Sequence, residues 1–256
     1  MLLNKNIGFM DNTHFFPFLL IAIVFNSCTP MKSSLSLNIT QSNIQIIQQI
    51  PLGDPSRSNN PLYLPPREIE KNEFKSKKLD QLIDTMYSVM LKKAGVGIAA
   101  NQIGKQLQVF IIEAKGDNPR YKVLGPVPKQ VFINPRITKV SDKRMNFWHG
   151  CLSAEGKERG NVATYEWIEY ECFDESGNLK QGKLDGFASV IFQHEFRHLL
   201  SGTYLDVANH FLSKTELDYE IEMGKIPYFD IVSDTLPLLI SGYRVGQTIN
   251  DYHTKK

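Results

Sequence analysis

The segment Gln193-His194-Glu195-Phe196-Arg197-His198 lies inside an apolar, helically periodic stretch at 187–200, which predicts a buried α-helix. Because a helix turns about 100° per residue, His194 and His198 project from one face and can bind one ion. Glu195 lies at the edge of that face, where it can reach a water molecule without binding the ion itself. The segment therefore predicts a metal-dependent hydrolase.

The stretches on either side of this helix predict a mixed α+β domain. Residues 77–93 carry apolar side chains at helical spacing with charges on the other face, which predicts an amphipathic helix. Runs typical of strands follow at 107–112, 131–137 and 164–173, and residues 174–178 form a predicted turn. Strands and helices do not alternate regularly, so parallel βαβ units are not expected.

Composition limits the classes of protein. The 256 residues are 42% hydrophobic and 22% charged, which is typical of one globular catalytic domain with tails. A net charge of +2 gives no excess positive field, so a nucleic-acid partner is not expected. The three cysteines cannot all pair, and Cys172, in an alternating stretch, is predicted to be a buried strand thiol.

The N-terminal segment differs in character from the rest. Residues 15–25 are apolar and too short to span a bilayer, which is typical of the hydrophobic region of a signal peptide. Ser27-Cys28 follows and resembles a lipoprotein signal, in which a lipid on Cys28 would tether the mature chain to a membrane. We therefore expect a signal peptide at 1–28, a linker at 29–45 and an exported, membrane-anchored or periplasmic protein. Translation from Met31 is the alternative and would give a cytoplasmic protein.

A third metal ligand is needed, because catalytic sites usually combine three protein ligands with water. Asp206 and His210 lie downstream, where zincin peptidases have their third ligand. The upstream segment His149-Gly150-Cys151-Leu152-Ser153 is the better candidate, since it places a cysteine between a glycine and a polar residue. A thiolate would add negative charge and a soft donor to the ion.

Three motifs, in this order and spacing, resemble those of the peptide deformylases. They are Gly95-Val96-Gly97-Ile98-Ala99-Ala100-Asn101-Gln102, the segment from His149 to Ser153, and the segment from Gln193 to His198. The resemblance covers roughly residues 46–207 and leaves 208–256 as a C-terminal extension. It implies an α+β fold with mixed or antiparallel sheets around a central His-Glu-x-x-His helix.

The same resemblance implies the reaction and its residues. Cys151, His194 and His198 would bind one divalent ion, with Fe²⁺ expected and Zn²⁺, Ni²⁺ or Co²⁺ as substitutes. Glu195 would accept a proton from the attacking water and pass it to the departing amine, so that N-formylated methionyl peptides release formate. Gln102 and Leu152 would donate hydrogen bonds to the oxyanion, and the backbone at Gly97 would contact the substrate. The predicted pocket residues are Val96, His149, Phe187, Val190 and Ile191.

Two residues depart from the family pattern. His149 stands where the family usually has Glu, and Arg197 stands where it usually has Asp. We hypothesise that His149 pairs with Glu158, with a role as an extra metal ligand as the alternative. We favour an Arg197 side chain that faces solvent; the alternative is that it lies near the ion, where it would weaken metal affinity or reorient a ligand. These changes leave open a catalytically silent, metal-retaining binding protein. A zincin-like peptidase, which would need a downstream third ligand, is a separate alternative, and the oligomeric state is not predicted.

Overall fold

A computed structural model of the chain describes residues 44–118, 124–227, 230–231 and 235–255. The predicted signal peptide, Cys28 and nearly all of the predicted linker lie outside these residues. Within the described residues, no helix combines the length and the apolar character needed to cross a bilayer.

The described residues form four α-helices, nine strands and several short 3₁₀ helices. In chain order, the strands are β1 (Gly97–Ala99), β2 (Val109–Ala114), β3 (Val127–Val140), β4 (Arg144–His149), β5 (Arg159–Tyr165), β6 (Trp167–Phe173), β7 (Leu179–Asp185), β8 (Phe211–Leu212) and β9 (Asp230–Ile231). The helices are α1 (Lys77–Lys92), α2 (Gly186–Leu199), α3 (Lys214–Glu222) and α4 (Ile249–Thr254).

These strands form two antiparallel sheets. The first has the order β1-β2-β3-β6-β7 and the second the order β8-β5-β4-β9. Burial alternates along β6, with Ile168, Tyr170 and Cys172 inward, so the predicted strand thiol is buried. The fold is thus α+β, as expected.

The single strand predicted at 164–173 is instead the end of β5 and all of β6, which belong to different sheets. At Tyr165 the backbone N–H donates to the Gln193 side chain at 2.9 Å, and the Gln193 amide donates back to the Tyr165 carbonyl at 2.9 Å. Because these bonds join the Tyr165 backbone to helix α2, the chain passes from one sheet to the other at this point. The sequence pattern could not show this change because it depends on a contact with a distant side chain.

Helix α2 contacts strands of both sheets, including β1, β2 and β5. Phe192 packs against Phe110 and Phe132 at ring-centroid distances of 5.0 and 4.9 Å. Almost every residue of α2 is buried, so the helix is the centre of the core and not a surface element. The helix ends at Leu199, and Ser201 then adopts the left-handed backbone conformation at φ 57°, immediately before Gly202.

Helix α1 packs its apolar face on β1 and β2. Ser76 caps its start by accepting a hydrogen bond from the Leu79 N–H at 3.2 Å. Leu91, which matches the apolar spacing, is 40% exposed at the end of the helix. The predicted helix is confirmed, with a slightly narrower buried face.

The described part of the C-terminal extension is packed into the same fold. Strands β8 and β9 add to opposite edges of the second sheet, beside β5 and β4. Further buried side chains follow, at Leu239, Ile240, Tyr243, Ile249 and Tyr252. His253 Nε2 lies 2.9 Å from the Leu199 carbonyl oxygen, which ties α4 to the end of the central helix.

Candidate active site

Two elements bring the predicted metal ligands together. His194 and His198 lie one turn apart on the buried helix α2, and Cys151 follows the end of β4. Cys151 Sγ is 3.3 Å from His198 Nε2, and one donor atom of each of the three residues lies within 4.8 Å of the others. A thiolate and two imidazoles at this separation would suit a divalent transition-metal ion, and three protein ligands are the usual number in catalytic sites of this kind. The donor set therefore fits a catalytic metal.

The downstream alternatives do not reach this cluster. Asp206 pairs with Arg57 at 2.8 Å and accepts a hydrogen bond from the Thr203 N–H at 2.7 Å. His210 is exposed and packs on Trp148 with ring centroids 5.1 Å apart. Both have other partners, so the geometry disfavours a zincin arrangement.

Glu195 is 3% exposed, and its carboxylate lies directly over Gly97. A Cβ on Gly97 would overlap Glu195 Oε1 and lie 2.7 Å from the carboxyl carbon, so only glycine leaves space for this carboxylate. Burial raises the pKa of Glu195 well above its usual value. Its Oε2 atom has no hydrogen-bond partner among the described residues. The carboxyl group can therefore hold a proton and pass it on.

Burial also determines the charge of the histidines. It lowers the pKa of His194 to about 4, with the Arg159 guanidinium acting in the same direction. Burial, together with the nearby His194, holds the pKa of His198 well below its usual value. Both imidazoles are neutral near pH 7, which is the form that binds a metal.

Gln102 lies in the short 3₁₀ helix that follows β1 and is buried. Its Oε1 accepts a hydrogen bond from the Ala99 N–H at 2.8 Å, which fixes the amide orientation. Its Nε2 donates to Ser153 Oγ at 3.1 Å and faces Cys151 Sγ at 3.4 Å. The amide N–H groups therefore point toward the donor cluster. Leu152, the other predicted oxyanion donor, lies on the same loop between Cys151 and Ser153.

An N-terminal segment that the sequence did not connect with the site supports both loops. Gln48 Nε2 donates to the Leu152 carbonyl at 3.2 Å, and Gln48 Oε1 accepts from the Glu155 N–H at 3.0 Å. The backbone of the same segment bonds to both loops, through Ile47 N–H to the Gln102 carbonyl at 2.8 Å and Gln49 N–H to the Ser153 carbonyl at 2.7 Å. No local pattern indicates these bonds, since the partners lie far apart in sequence.

A cleft of about 460 Å³, including its open mouth, adjoins the cluster. Its lining includes the five predicted pocket residues Val96, His149, Phe187, Val190 and Ile191. Phe147 also lines it and lies 5.8 Å from Phe187 between ring centroids. Phe147 was missed, although the period of two in β4 places it on the same face as His149.

His149 does not pair with Glu158. Its Nδ1 lies 3.1 Å from His194 Nδ1, and its ring is buried and stacked on the His194 ring with centroids 5.2 Å apart. Glu158 is exposed, and no ion pair joins it to His149 in the part of the chain described. Arg159, the next residue, places its guanidinium where a Cβ on Gly150 would lie. The predicted pair was therefore wrong, because the residue that turns toward the site is Arg159.

Arg197 does not face solvent, contrary to expectation. It is 9% exposed, and its guanidinium fills the space that a Cβ on Gly202 would occupy, with Nε at 2.6 Å. Burial lowers its pKa, while the nearby Asp206 acts in the opposite direction. The Arg197 side chain turns inward because it packs against Gly202, beyond the end of the helix. Near the same end of the helix, the Asn101 amide donates a hydrogen bond to the His198 carbonyl at 2.8 Å.

Comparisons with known proteins agree with this geometry. A sequence model of the polypeptide deformylase family matches residues 57–214. The peptide deformylase of Leptospira biflexa is 34% identical over 139 residues, which is 54% of this chain and 77% of that protein. Peptide deformylase 2 of a Nostoc species is 37% identical over 143 residues, which is 56% of this chain and 79% of that protein.

Solved structures show the same likeness. A Met-Ala-Ser-bound class I type b peptide deformylase from Acinetobacter baumannii is 30% identical, with a TM-score of 0.58 over 64% of this chain and 96% of that chain. A plant peptide deformylase 1B is 28% identical, with a TM-score of 0.53 over 71% of this chain and 86% of that chain. The family match covers more than half of the sequence, and the chain belongs to the peptide deformylases, a family of metal-dependent hydrolases.

Proposed function

We propose that this protein removes the formyl group from formyl-methionyl peptides and releases formate. One observation carries the proposal: the Cys151, His194 and His198 donors converge within 4.8 Å beside the buried Glu195 carboxyl group and an apolar cleft. This arrangement combines a metal site, an acid/base and a side-chain pocket at one position, which suits metal-assisted hydrolysis of an amide.

We expect Fe²⁺ at the three donors, with Zn²⁺, Ni²⁺ or Co²⁺ as alternatives that the same thiolate and imidazoles accept. When bound, such an ion polarises the formyl carbonyl and makes the attacking water more acidic. The fit rests on the separation and chemistry of the donors and on the neutral state of both imidazoles.

The chain's own residues would perform the remaining steps. Glu195 takes the proton from water and returns it to the amine as the amide bond breaks, which its buried carboxyl group with an unpaired Oε2 allows. The Gln102 amide and the Leu152 N–H stabilise the negative charge that develops on the formyl oxygen. The hydrogen bond from Ala99 to Gln102 holds the amide in place before the substrate arrives.

The pocket favours a flexible apolar side chain. Val96, Phe147, Phe187, Val190 and Ile191 give it an apolar wall, which suits the unbranched side chain of methionine. The related Acinetobacter baumannii structure is described with Met-Ala-Ser bound, which supports a methionyl peptide as the ligand class for this protein too.

The test is formate release from formyl-Met-Ala-Ser by protein purified without oxygen and loaded with iron or nickel. Glu195→Gln is the inactive variant, and Glu175→Gln, at a half-buried position in the turn between β6 and β7, is the matched control. We expect activity in the wild type and the control, with a loss of about 10² to 10⁴-fold in Glu195→Gln. A metal-loaded wild type without formate release would contradict the proposal and favour a silent binding protein.

We also propose that the chain is exported and lipidated at Cys28, on the basis of the apolar stretch and the Ser27-Cys28 sequence alone. Export would direct the enzyme toward formyl peptides released outside the cytoplasm. Mass spectrometry of the mature protein tests this, with Cys28→Ser as the control. An unmodified N-terminus starting at Met31 would show a cytoplasmic protein instead.

A further inference from the structure

The contact between His149 and His194 plays no part in the reaction proposed above. Their Nδ1 atoms are 3.1 Å apart, and their rings are inclined by only 19°. Two imidazole nitrogens at this distance form a hydrogen bond only when one carries the proton and the other offers a lone pair. The pair therefore has two proton arrangements, and they differ in what His194 can bind.

We infer that His149 is a positioning residue that accepts a hydrogen bond from Nδ1–H of His194 and so leaves His194 Nε2 free for the metal ion. A nitrogen that binds a metal must be unprotonated, so the proton of a neutral His194 has to stay on its other nitrogen. That nitrogen is Nδ1, the atom that faces His149. The inference rests on the metal-binding part of the proposed function.

The surroundings of His149 fit this role. Phe147 packs against its ring at 5.1 Å and Tyr204 at 6.4 Å between centroids, so the ring is held in place from two sides. His149 Nε2 is buried without a partner in the described part of the chain, and it would carry the His149 proton. Nδ1 then remains as an acceptor aimed at His194.

The test compares side chains that separate hydrogen bonding from packing. In His149→Asn, the side-chain Oδ1 takes the place of Nδ1 and can accept the same bond. In His149→Phe, the ring remains but the acceptor is lost. His210→Asn is the matched control, since His210 is exposed and lies on Trp148. Zn²⁺ affinity is measured for each protein by competition with a chromophoric chelator.

We expect affinity to fall by about 10 to 100-fold in His149→Phe, the usual effect of losing the hydrogen-bond partner of a ligand histidine. His149→Asn should stay within about threefold of the wild type, because its acceptor is retained. A role in packing alone predicts the reverse order, since phenylalanine preserves the ring contacts. Wild-type affinity in His149→Phe, or an equal loss in His149→Asn, would overturn the inference.

If the His149→Phe protein does not fold, a second measurement tests the inference on the wild type. Nitrogen-15 NMR of the Zn²⁺-loaded wild type should show a proton on His194 Nδ1 and none on His194 Nε2. An unprotonated His194 Nδ1 would overturn the inference. Neither measurement uses formate release, so a failure of the proposed activity and a failure of this inference give different results.

Discussion

The Glu195 carboxyl group occupies the space beside Gly97 that a side chain there would fill: a Cβ added to Gly97 would overlap Glu195 Oε1 and lie 2.7 Å from its carboxyl carbon. The residues belong to motifs almost a hundred positions apart, one on β1 and one on α2. The first motif therefore needs glycine here because of the acid/base, in addition to the close approach of a substrate backbone expected from the family.

Gly97→Ala should displace the Glu195 carboxyl group and reduce kcat by about 10²-fold, because a shift of about 1 Å in a reacting group has effects of this size. Metal content should not change, since the three ligands are untouched. Gly116→Ala is the control, because a Cβ there meets nothing within 4 Å. Full activity in Gly97→Ala with metal bound would show that the Glu195 position is not critical.

Arg197 and Gly202 should be energetically coupled. Gly202→Ala forces the Arg197 guanidinium out of its space, which should cost about 1 to 3 kcal/mol of unfolding free energy. The same substitution in an Arg197→Ala background should cost little, because the clash is gone. Urea unfolding of the four proteins gives the coupling energy. Equal costs in both backgrounds would contradict the contact.

Gln48 should stabilise the loop that carries Cys151 and Leu152. Gln48→Ala removes its bonds to the Leu152 carbonyl and the Glu155 N–H, so we expect a loss of about 1 kcal/mol in unfolding free energy. A fall in kcat/KM should accompany it, because the loop carries a predicted oxyanion donor. Gln45→Ala, at an exposed position of the same segment, is the control. Equal unfolding free energy and equal kcat/KM in the two variants would contradict this role of Gln48.

We expect the protein to lose stability at alkaline pH because of the buried Cys172 thiol. Burial raises the pKa of its thiol from 9.0 to about 11. Between pH 9 and 11 the folded state therefore keeps the thiol proton, whereas the unfolded state loses it. The contribution of the thiol to the free energy of unfolding is complete below pH 9 and disappears as the pH rises toward 11. Unfolding free energy from pH 8 to 10.5 should fall by about 1 to 2 kcal/mol more in the wild type than in Cys172→Val. Parallel curves would show that the thiol does not contribute.

Local patterns were sufficient for several elements. The periodicity of residues 187–200 and 77–93 predicted α2 and α1, because the buried faces of helices repeat in sequence. Alternation predicted that Cys172 would be buried in a strand. The strand boundary at Tyr165 was missed because Gln193, 28 positions away, holds the backbone there.

The sequence by itself determined the identity of the chemical groups. Spacing on a helix brings His194 and His198 to one face, and the order of the three motifs indicated Cys151, Gln102 and Glu195. These features could be recognised because they depend on helix geometry or on short motifs.

Only the tertiary structure decided how these groups are supported. It turned Arg159, not Glu158, toward the site, paired His149 with His194 and buried Arg197 against Gly202. The physical reason is that each of these contacts joins side chains from separate elements, whose positions follow from packing the whole core around α2.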